Sequence, residues 1–572
     1  MRIVITGIGI VSALGFGKEA TVDALLHEQS GIAAPMILPT LHRECPVGEV
    51  KLSDVALKER LHLPADALIP RTSLLGIAAA REALADAGVT DTHTLSFING
   101  TTVGGMNITE QRWREREAQA EAIVAHHTAG ASTEAIAEQV GSFASMQTIS
   151  TACSSALNAV MTGCNMLRTG ACSQVLAGGA ESLSLFHFNG FRALQILSDE
   201  PCRPFAATRK GLNLGEGAAY VLIETEQSAY ERGAAVYGYI AGYANACDAF
   251  HQTASSEDGE GAYLAMKQAI EMAHIKPEAI DYINAHGTAT PNNDITEYAA
   301  MQRLFGEQMP AYSSTKAFTG HTTSAAGSIE LVISLLAMNH GFVPVSMNID
   351  TPMPDTIAPQ QHTLHKNLSY VLCNSFGFGG NDSSMLLSRT AAELPASAQQ
   401  TPVRELADII LHEPVDYKPY IPVMQARRLT PALRQLVVAA RMALEQAGIN
   451  LPDAIITGTD LGCICHSVSL LNQLTDEGED ALSPTLFMQS THNTPSSLIA
   501  ILLHAHGYNC TYSHGAASYE QALADARRQI SLGLIRHALV LAFDEQDDTW
   551  QALSLQANKQ YAPIIRATVI GA

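Results

Sequence analysis

The sequence repeats part of itself, and this repeat limits the folds that the chain can adopt. Three segments recur in the same order and at similar separations in two parts of the chain. They are AAREALADAG (79–88) and AARMALEQAG (439–448), NGTTVGG (99–105) and TGTDLGC (457–463), and TISTACSSA (148–156) and TYSHGAASY (511–519). Two unrelated segments with similar helices are the alternative, but three ordered matches favour a repeat. We therefore predict that about residues 425–548 repeat the architecture of about 70–182.

Strand-like apolar runs alternate with helical patterns along the chain. This alternation predicts parallel or mixed sheets with helices packed on their faces. The 572 residues suggest roughly three or four structural units, and a hydrophobic content of 47% allows a large core. The small, polar, Pro-containing stretch at 388–402 is typical of a linker.

Composition argues against several classes of function. A net charge of −22 argues against nucleic acid as the main partner, and it disfavours an anionic membrane surface. No apolar run is long enough to span a bilayer, and the apolar N-terminus is better explained as a buried first strand than as a signal peptide. The ten cysteines lack disulfide-framework spacing, so we expect a reducing, cytoplasmic location.

Two short patterns resemble cofactor or metal motifs, and we reject both. Gly7 and Gly9 suggest a dinucleotide-binding loop, but Ser12 stands where the third glycine belongs. The cluster CICH at 463–466 has no second half, so we interpret it as packing rather than as a metal site.

Cys153 lies between a strand-like run, MQTIST, and a helix-like run, SSALNAVMTGCNMLRTG. Free N–H groups and the helix dipole at such a turn favour the thiolate, so we expect a lowered pKa. The small neighbouring residues leave room for a substrate to reach the sulfur. The alternative is a core cysteine on a buried helix, which is our interpretation of Cys164 and Cys172.

Two histidines follow predicted strands and precede predicted helices. His286 lies in INAHGTATPNND, where Asp294 is a credible N-cap, and His321 lies in SSTKAFTGHTTSAAGSIE, between Lys316 and Glu330. Each histidine alone is more often a loop residue with satisfied hydrogen bonds. Two such turns at strand ends are nevertheless consistent with one shared site.

A glycine-rich turn, NSFGFGGND, occupies residues 374–382. Its backbone N–H groups could hold an oxyanion, although a plain hairpin turn is the alternative.

The motifs TACSSA, NAHGTATPNND, STKAFTGH, AAGSIE and NSFGFGG, in this order, resemble those of elongating β-ketoacyl-ACP synthases of the type I/II group. The resemblance covers about residues 1–390. It implies an α/β thiolase fold, in which two similar halves, at 1–250 and 251–390, stack as five alternating αβαβα layers. A linker at 391–424 would then lead to a catalytically silent, ketosynthase-like half domain at 425–572.

The resemblance also implies a decarboxylative Claisen condensation and assigns its residues. Cys153 would accept an acyl chain as a thioester, and His286 and His321 would bind the carbonyl of a malonyl thioester and stabilise the enolate. The N–H groups of Cys153 and Phe378 would form the oxyanion hole, with Phe378 as a gate. The supporting residues would be Lys316 and Glu330, which organise the second histidine, and Thr288, Thr290 and Asp294.

The same resemblance implies partners and cofactors. No metal or redox cofactor would be needed, because acyl groups arrive on the phosphopantetheine of an acyl carrier protein. We expect a homodimer, or a heterodimer with another ketosynthase-like subunit. Since carrier proteins are acidic, a local basic patch must exist, with these candidate residues: Arg71, Arg112, Arg114, Arg203, Arg209 and Lys210.

Competing family members are distinguished by their nucleophiles and partner residues. A chain-length-factor-like, non-catalytic partner subunit is the main alternative, but such subunits lack the nucleophile and Cys153 is present. An initiating synthase would show a Cys–His–Asn set. A biosynthetic thiolase would show a second catalytic cysteine, and the context of Cys373 is of the synthase type.

Two features depart from the pattern of fatty-acid synthases. Asn381, followed by Asp382, replaces the usual threonine after the last glycines, and the fused C-terminal part has Ala516 at the cysteine position. Both suggest an aryl polyene or related polyene pathway. We expect the C-terminal part to act as a chain-length or dimer-interface module.

Overall fold

A computed structural model describes residues 1–395 and 402–572. The strands are β1 (Ile3–Ser12), β2 (Gly15–Phe16), β3 (Ser96–Gly100), β4 (Ser145–Ile149), β5 (Gln174–Glu181), β6 (Gly217–Thr225), β7 (Gly238–Cys247), β8 (Tyr282–Asn284), β9 (Ala311–Ser313), β10 (Phe342–Val343), β11 (Leu364–His365), β12 (Tyr370–Gly377), β13 (Asn381–Ser388), β14 (Arg404–Ile410), β15 (Ala454–Gly458), β16 (Tyr508–Tyr512), β17 (His537–Asp544) and β18 (Ile564–Gly571).

The helices are α1 (Gly17–Leu26), α2 (Asp54–Arg60), α3 (Arg71–Asp86), α4 (Met106–Arg112), α5 (Ala120–His126), α6 (Ala129–Val140), α7 (Ser155–Arg168), α8 (Leu185–Ala193), α9 (Glu226–Glu231), α10 (Glu260–Met272), α11 (Pro291–Phe305), α12 (Lys316–Thr319), α13 (Ala326–His340), α14 (Val423–Ala426), α15 (Pro431–Ala447), α16 (Ile464–Asp476), α17 (Pro484–Gln489), α18 (Thr494–Leu503), α19 (Ser518–Ser531) and α20 (Asp548–Gln556). In the described residues, no helix has both the length and the apolar character that a membrane crossing requires.

The first 390 residues form two similar halves. The strands of the first half pair in the order β1, β6, β5, β3 and β4. Those of the second half pair in the corresponding order β7, β13, β12, β8 and β9, and β1 pairs with β7. Helix α3 covers the outer face of the first set and α10 covers that of the second. Helices α7 and α13 lie between the two sets and contact both. The expected five-layered α/β fold is therefore confirmed.

Strand pairing moves two of the expected boundaries. β7 pairs with β13 along its length, so the second half begins near residue 238 rather than 251. The expected linker at 391–424 is wrong for 404–410, because these residues form β14 and pair with β18. The linker-like composition ends at residue 402, and β14 follows it as a short, mostly exposed edge strand. Residues 396–401 of the expected linker lie outside the described residues.

The C-terminal unit, residues 402–572, repeats the first half. Strands β16, β15, β17, β18 and β14 pair in the same order as β4, β3, β5, β6 and β1. Helix α15 lies on β14 and β18 as α3 lies on β1 and β6. The repeat that the sequence predicts is therefore present, and it begins at β14 rather than at residue 425.

The two units join through an antiparallel contact between β4 and β16 that has local twofold symmetry. Ile149 pairs with Tyr512, which is its counterpart in the repeat. The N–H of Ser150 donates to the Thr511 carbonyl at 2.9 Å, and the N–H of Ser513 donates to the Thr148 carbonyl at 2.9 Å. Each of these bonds is the image of the other, as in an isologous dimer interface. The contact therefore joins equivalent strands of the two units at equivalent residues.

The described part of the C-terminal unit lacks a second half, and its central helix reflects this. Every residue of α7 is buried, because α13 and the second sheet cover the side that faces away from the first sheet. Its counterpart α19 has no such cover within the described residues, and it exposes Glu520 and Arg527. Charged residues have therefore replaced the apolar ones that α7 buries.

We expect that Ser513→Pro will destabilise the junction between the units. Proline removes the N–H that donates to the buried carbonyl of Thr148, and an unpaired buried carbonyl costs about 1–3 kcal/mol. Urea unfolding followed by circular dichroism measures this loss. Ser513→Ala keeps the N–H and is the matched control, so equal stability of the two variants would contradict the role assigned to this bond.

Candidate active site

Cys153 lies on a tight turn between β4 and α7. A short 3-10 helix, Ala152–Ser154, forms the turn, and Ala152 has a φ of +53°, an unfavourable value for a residue with a Cβ. The Ser155 hydroxyl fixes the turn, because it accepts from the Thr151 N–H at 2.8 Å and donates to the Ala152 carbonyl at 2.6 Å. The strand–turn–helix arrangement agrees with the sequence pattern.

The same turn recurs in the C-terminal unit without the thiol. The His514 N–H donates to the Ser518 hydroxyl at 2.8 Å, and that hydroxyl donates to the Gly515 carbonyl at 2.7 Å. Gly515 has a φ of +57°, matching Ala152. Ala516 occupies the position of Cys153 and is exposed, so this second turn offers neither a nucleophile nor an enclosed site.

Burial controls the protonation of Cys153. Desolvation raises the pKa of the thiol to about 11, although Lys316 and the backbone N–H groups of Phe378 and Cys153 oppose this change. The expectation of a lowered pKa is therefore wrong. The helix N-terminus acts on a sulfur that is only 6% exposed, and loss of hydration outweighs that effect.

His286 and His321 converge on the sulfur. His321 Nε2 is 3.1 Å from Cys153 Sγ, and the two imidazole rings are 5.2 Å apart and nearly perpendicular. One ligand-type atom from each of the three residues lies within 4.8 Å of the others. Burial holds the pKa of both histidines well below 6.5, so both rings are neutral at physiological pH.

The described residues contain one group of three close cysteine, histidine or acidic side chains, and it is this one. Thiolate and imidazole are ligand types that zinc accepts. The residues of the CICH cluster are not part of this group, and Cys463 is fully buried in a hydrophobic core.

Lys316 and Glu330 lie beside His286, not beside His321 as the sequence analysis expected. The Lys316 nitrogen donates to Glu330 Oε1 at 2.5 Å and to the His286 carbonyl at 2.5 Å, and it is 3.2 Å from His286 Nδ1. A donor at Nδ1 leaves the ring proton on Nε2. The pair therefore fixes the tautomer of His286 and directs its Nε2–H into the site.

Carboxylates hold the turn that carries His286. Glu297, which the sequence analysis did not identify, accepts from the N–H groups of His286 at 2.8 Å and Gly287 at 2.7 Å. Asp294 accepts from the N–H groups of Phe205 at 2.7 Å and Ala289 at 3.1 Å. Asp294 is not an N-cap, because α11 begins three residues earlier at a proline, which starts a helix well.

Phe378 lies on the glycine-rich turn, which the C-terminal unit contacts. Gly379 and Gly380 have φ values of +83° and +71°, which suit glycine. The ring of Phe378 stacks on Phe191 with centroids 5.6 Å apart. Asn493, from the C-terminal unit, donates its side-chain N–H to the Phe378 carbonyl at 2.8 Å. The turn is therefore held from both units.

Asn381 connects the nucleophile to the C-terminal unit. Its Oδ1 accepts from Ser154 at 2.7 Å, Asn158 at 2.9 Å and Asn245 at 2.8 Å. Its Nδ2 donates to the Asn509 carbonyl on β16 at 2.6 Å. A threonine hydroxyl has too few polar atoms for all four bonds, which gives the departure at this position a structural reason.

Cys153, Phe191 and Phe378 border two cavities. The outer cavity, of about 380 Å³, is also lined by His286, His321, Thr288, Thr290, Lys210 and Asp382. The inner cavity, of about 80 Å³, extends towards the C-terminal unit. That unit supplies a wall of the inner cavity through Leu461, Ser467, Phe487, Ser490, Thr491 and His492. These lining residues lie outside the sequence motifs that predict the catalytic residues.

The candidate basic residues do not form one patch. Arg71 is buried and bonds to Glu216 and Asp54, so it cannot contact a partner. Arg203 and Lys210 both pair with Glu200 near the outer cavity. Arg209 lies close by, where it donates to the backbone carbonyls of Thr290 and Pro291 at the start of α11. Arg112 and Arg114 lie elsewhere, at a cavity along the seam with the C-terminal unit.

Family models match three parts of the chain. The model described as "Beta-ketoacyl synthase, N-terminal domain" matches residues 1–229, and "Beta-ketoacyl synthase, C-terminal domain" matches 237–350. A second N-terminal-domain model matches 399–569, which is the C-terminal unit. These matches agree with the halves and the repeat that the strand pairing defines.

Curated relatives match the first two thirds of the chain. "3-oxoacyl-[acyl-carrier-protein] synthase 2" of Vibrio cholerae serotype O1 is 32% identical over 413 residues, covering 68% of this chain and 99% of the relative. The protein of the same name from Rhizobium meliloti is 33% identical over 428 residues, with the same coverage.

Solved structures extend the similarity to the whole chain. "The ishigamide ketosynthase/chain length factor" is 29% identical with a TM-score of 0.64, covering 68% of this chain and 99% of that one. "PfaC Keto synthase-Chain length factor" has a TM-score of 0.84 and covers 100% of this chain and 78% of that one. At 16% identity the second likeness concerns the fold alone. The chain belongs to the β-ketoacyl synthase family, and it joins a ketosynthase unit to a second, ketosynthase-like unit.

Proposed function

We propose that the protein is a β-ketoacyl-[acyl-carrier-protein] synthase, an acyltransferase that condenses an acyl thioester with malonyl-ACP and releases CO2. The observation that carries this proposal is the convergence of one thiol and two neutral imidazoles between two cavities. His321 Nε2 is 3.1 Å from Cys153 Sγ, and His286 completes the group. A chain-length-factor-like, non-catalytic role is the alternative, and the presence of Cys153 argues against it.

The first step transfers the acyl group to Cys153. A thiol with a pKa near 11 carries almost no charge at pH 7, so a base must take its proton during the attack. His321 Nε2 is within reach of that proton and can pass it to the departing carrier thiolate. The N–H groups of Cys153 and Phe378 flank the sulfur and can hold the oxyanion. One such donor contributes about 3 kcal/mol.

The second step takes place in the outer cavity. His286 and His321 bind the carbonyl of the malonyl thioester. His286 donates through the Nε2–H that Lys316 enforces, and His321 donates after its proton has moved from Nδ1 to Nε2, which its unpartnered Nδ1 permits. Loss of CO2 leaves an enolate, and neutral N–H donors stabilise its oxygen without transferring a proton. The enolate carbon then attacks the acyl carbonyl on Cys153, the bond between that carbon and Cys153 Sγ breaks, and the released thiolate takes up a proton from solvent to restore the thiol. Thr288 and Thr290, whose hydroxyls are 2.9 Å apart, line the approach.

We infer that the C-terminal unit is catalytically silent and limits the acyl chain. Its nucleophile position is Ala516, and no second pair of histidine motifs follows in the sequence. Phe487 from this unit packs against Phe186 and Phe191 at the inner cavity. A Cβ added at Gly190 would lie 2.2 Å from the Phe487 ring, so that ring fills the space beside the glycine. These contacts support the proposal that the C-terminal unit acts as a fused chain-length module.

We further propose an acyl carrier protein as the partner, and polyene- or polyketide-type elongation, aryl polyenes included, as the pathway class. Lys210 lines the outer cavity with a largely exposed side chain, so it offers a carrier protein a cationic contact in an acidic chain in exchange for its ion pair with Glu200. The C-terminal unit, which takes the position of a partner subunit, favours elongation of the kind that ketosynthase/chain-length-factor pairs perform.

We expect acyl-ACP to add one acyl mass to Cys153, and malonyl-ACP then to give a product longer by two carbons. Mass spectrometry of the intact protein and of its cysteine peptides measures both. Cys153→Ala should show neither adduct nor product, because Cys153 is the thiol that lies beside the two histidines. Cys164→Ala, on the next helix, is the matched control and should keep both. An adduct on Cys153→Ala would reject the assigned nucleophile.

Alkylation of Cys153 by iodoacetamide should rise about tenfold per pH unit between pH 7 and pH 10, because only the thiolate reacts and burial holds the pKa near 11. Peptide mass spectrometry at each pH measures the rate, with circular dichroism to verify folding. Glutathione is the reference, because the alkylation rate of a free thiol with a pKa of about 8.5 reaches its plateau at a lower pH. A plateau for Cys153 below pH 8 would instead indicate a resting thiolate–imidazolium pair.

Phe487→Ala should lengthen the accepted acyl chain, since it removes a ring from the wall of the inner cavity. We expect kcat/KM to rise at least tenfold for acyl groups two to four carbons longer, measured by product mass spectrometry over a series of acyl-ACPs. Leu555→Ala changes an exposed side chain of the same unit and is the control. An unchanged length profile would remove the support for a chain-length role.

A further inference from the structure

The inner cavity contains three imidazoles in walls that are otherwise largely apolar. His127 and His187 come from the first unit, and His492 comes from the C-terminal unit. Val103, Met106, Phe186 and Leu461 are among the apolar residues around them. A pocket for an aliphatic chain gains nothing from buried polar rings, which cost free energy when they lack partners. The three imidazoles therefore indicate a ligand that forms hydrogen bonds with them.

Two of the three rings are counterparts in the repeat. His127 precedes Thr128, the N-cap of α6, and His492 precedes Asn493, the N-cap of α18. Each ring uses one nitrogen within its own surroundings: His127 Nδ1 bonds to Thr109 at 3.1 Å, and His492 Nδ1 bonds to Ser150 at 2.9 Å. Within the described part of the chain, neither Nε2 atom has a hydrogen-bond partner. The Nδ1 atom of each ring holds the ring in place, and the Nε2 atom is left to bond a ligand in the cavity.

His187 has no such anchor. Its ring contacts Phe191 and Phe487, with centroids 5.0 Å and 6.2 Å away, and residues 1–395 and 402–572 offer neither nitrogen a hydrogen bond. The residue is only 8% exposed and lies close enough to His321 to lower the pKa of that ring. It is thus a buried, unpartnered polar side chain in the wall of the cavity, near the end at which Cys153 lies.

All three rings are neutral, so they hydrogen-bond without carrying charge. Burial holds the pKa of His127 at about 3 and those of His187 and His492 at about 4. A neutral imidazole offers one donor and one acceptor. Such a ring suits an uncharged oxygen, because a hydroxyl can donate or accept and a carbonyl can accept.

We propose that the acyl group held in the inner cavity carries a hydroxyl or carbonyl oxygen beyond its thioester, and that this oxygen hydrogen-bonds to His187 or to the His127–His492 pair. The inference rests on the proposed function and narrows its substrate class from any acyl chain to an oxygenated one. A site built to bond a substrate oxygen discriminates strongly against the analogue that lacks it, because its own polar groups are then left unpaired.

The test uses the full-length protein and N-acetylcysteamine thioesters, which bypass the carrier protein. Two matched pairs are offered in competition: 5-oxohexanoyl with hexanoyl, and 3-(4-hydroxyphenyl)propanoyl with 3-phenylpropanoyl. The adduct on the Cys153 peptide is quantified by mass spectrometry. We expect at least tenfold faster acylation by the oxygenated member of at least one pair. Equal labelling, or preference for the unoxygenated member in both pairs, would overturn the inference and leave the proposed function standing.

Variants connect the preference to the three rings. His127→Phe, His187→Phe and His492→Phe each keep a ring and remove its nitrogens, and at least one should abolish the preference by slowing the oxygenated substrate about tenfold. His412→Phe changes an exposed histidine and is the control. Thermal melting and iodoacetamide labelling of Cys153 verify that each variant is folded. Unchanged discrimination in all three would overturn the inference, and no adduct from any thioester on the unmodified protein would overturn the proposed function with it.

Discussion

The antiparallel contact between β4 and β16 determines both the shape of the molecule and the construction of its site. Cys153 lies four residues beyond the end of β4, so the strand that joins the two units also carries the nucleophile. Ser150, whose N–H bonds across the junction, uses its hydroxyl to bond His492 at the inner cavity. The interface and the site therefore share residues, and neither can change independently of the other.

Exclusion of water explains the chemistry that the site supports. The thiol and both histidines are buried and uncharged at rest. Lys316 donates to the His286 carbonyl, and Glu297 accepts from the His286 N–H, so these two side chains hold the turn. A carbanion formed in such a place meets few proton donors, so it can attack a thioester before it is quenched. Neutral N–H donors in a region of low dielectric also stabilise a developing oxyanion more strongly than they would in water.

Much of this arrangement could be predicted from the sequence, because it depends on local patterns. The turns at Cys153, His286 and His321 are each encoded within about a dozen neighbouring residues, and the repeat is visible because three such short segments recur in the same order. The fold followed from these patterns and from the resemblance. Glycine and small residues at turns are readable because only certain backbone conformations admit them.

The remaining features depend on contacts between residues far apart in the chain. The pKa of Cys153 follows from how completely other elements bury it, which a helix-terminus pattern does not report. Glu297, Asn493 and His492 gain their roles only when their elements meet the site. β14 is a strand because it pairs with β18, which lies far away in the chain. The start of α11 depends on a local signal, because Pro291 begins the helix and Asp294 lies three residues inside it.

Covalent attachment of the C-terminal unit changes how the site is assembled in a cell. Two separate subunits must find each other, and their pairing weakens as the protein becomes dilute. A tether makes docking intramolecular and therefore independent of total concentration, and it fixes the ratio of the units at one to one. Each translated chain therefore supplies its own cavity wall. Mutations in one gene can change both sides of the substrate pocket, so no matching change in a second gene is needed.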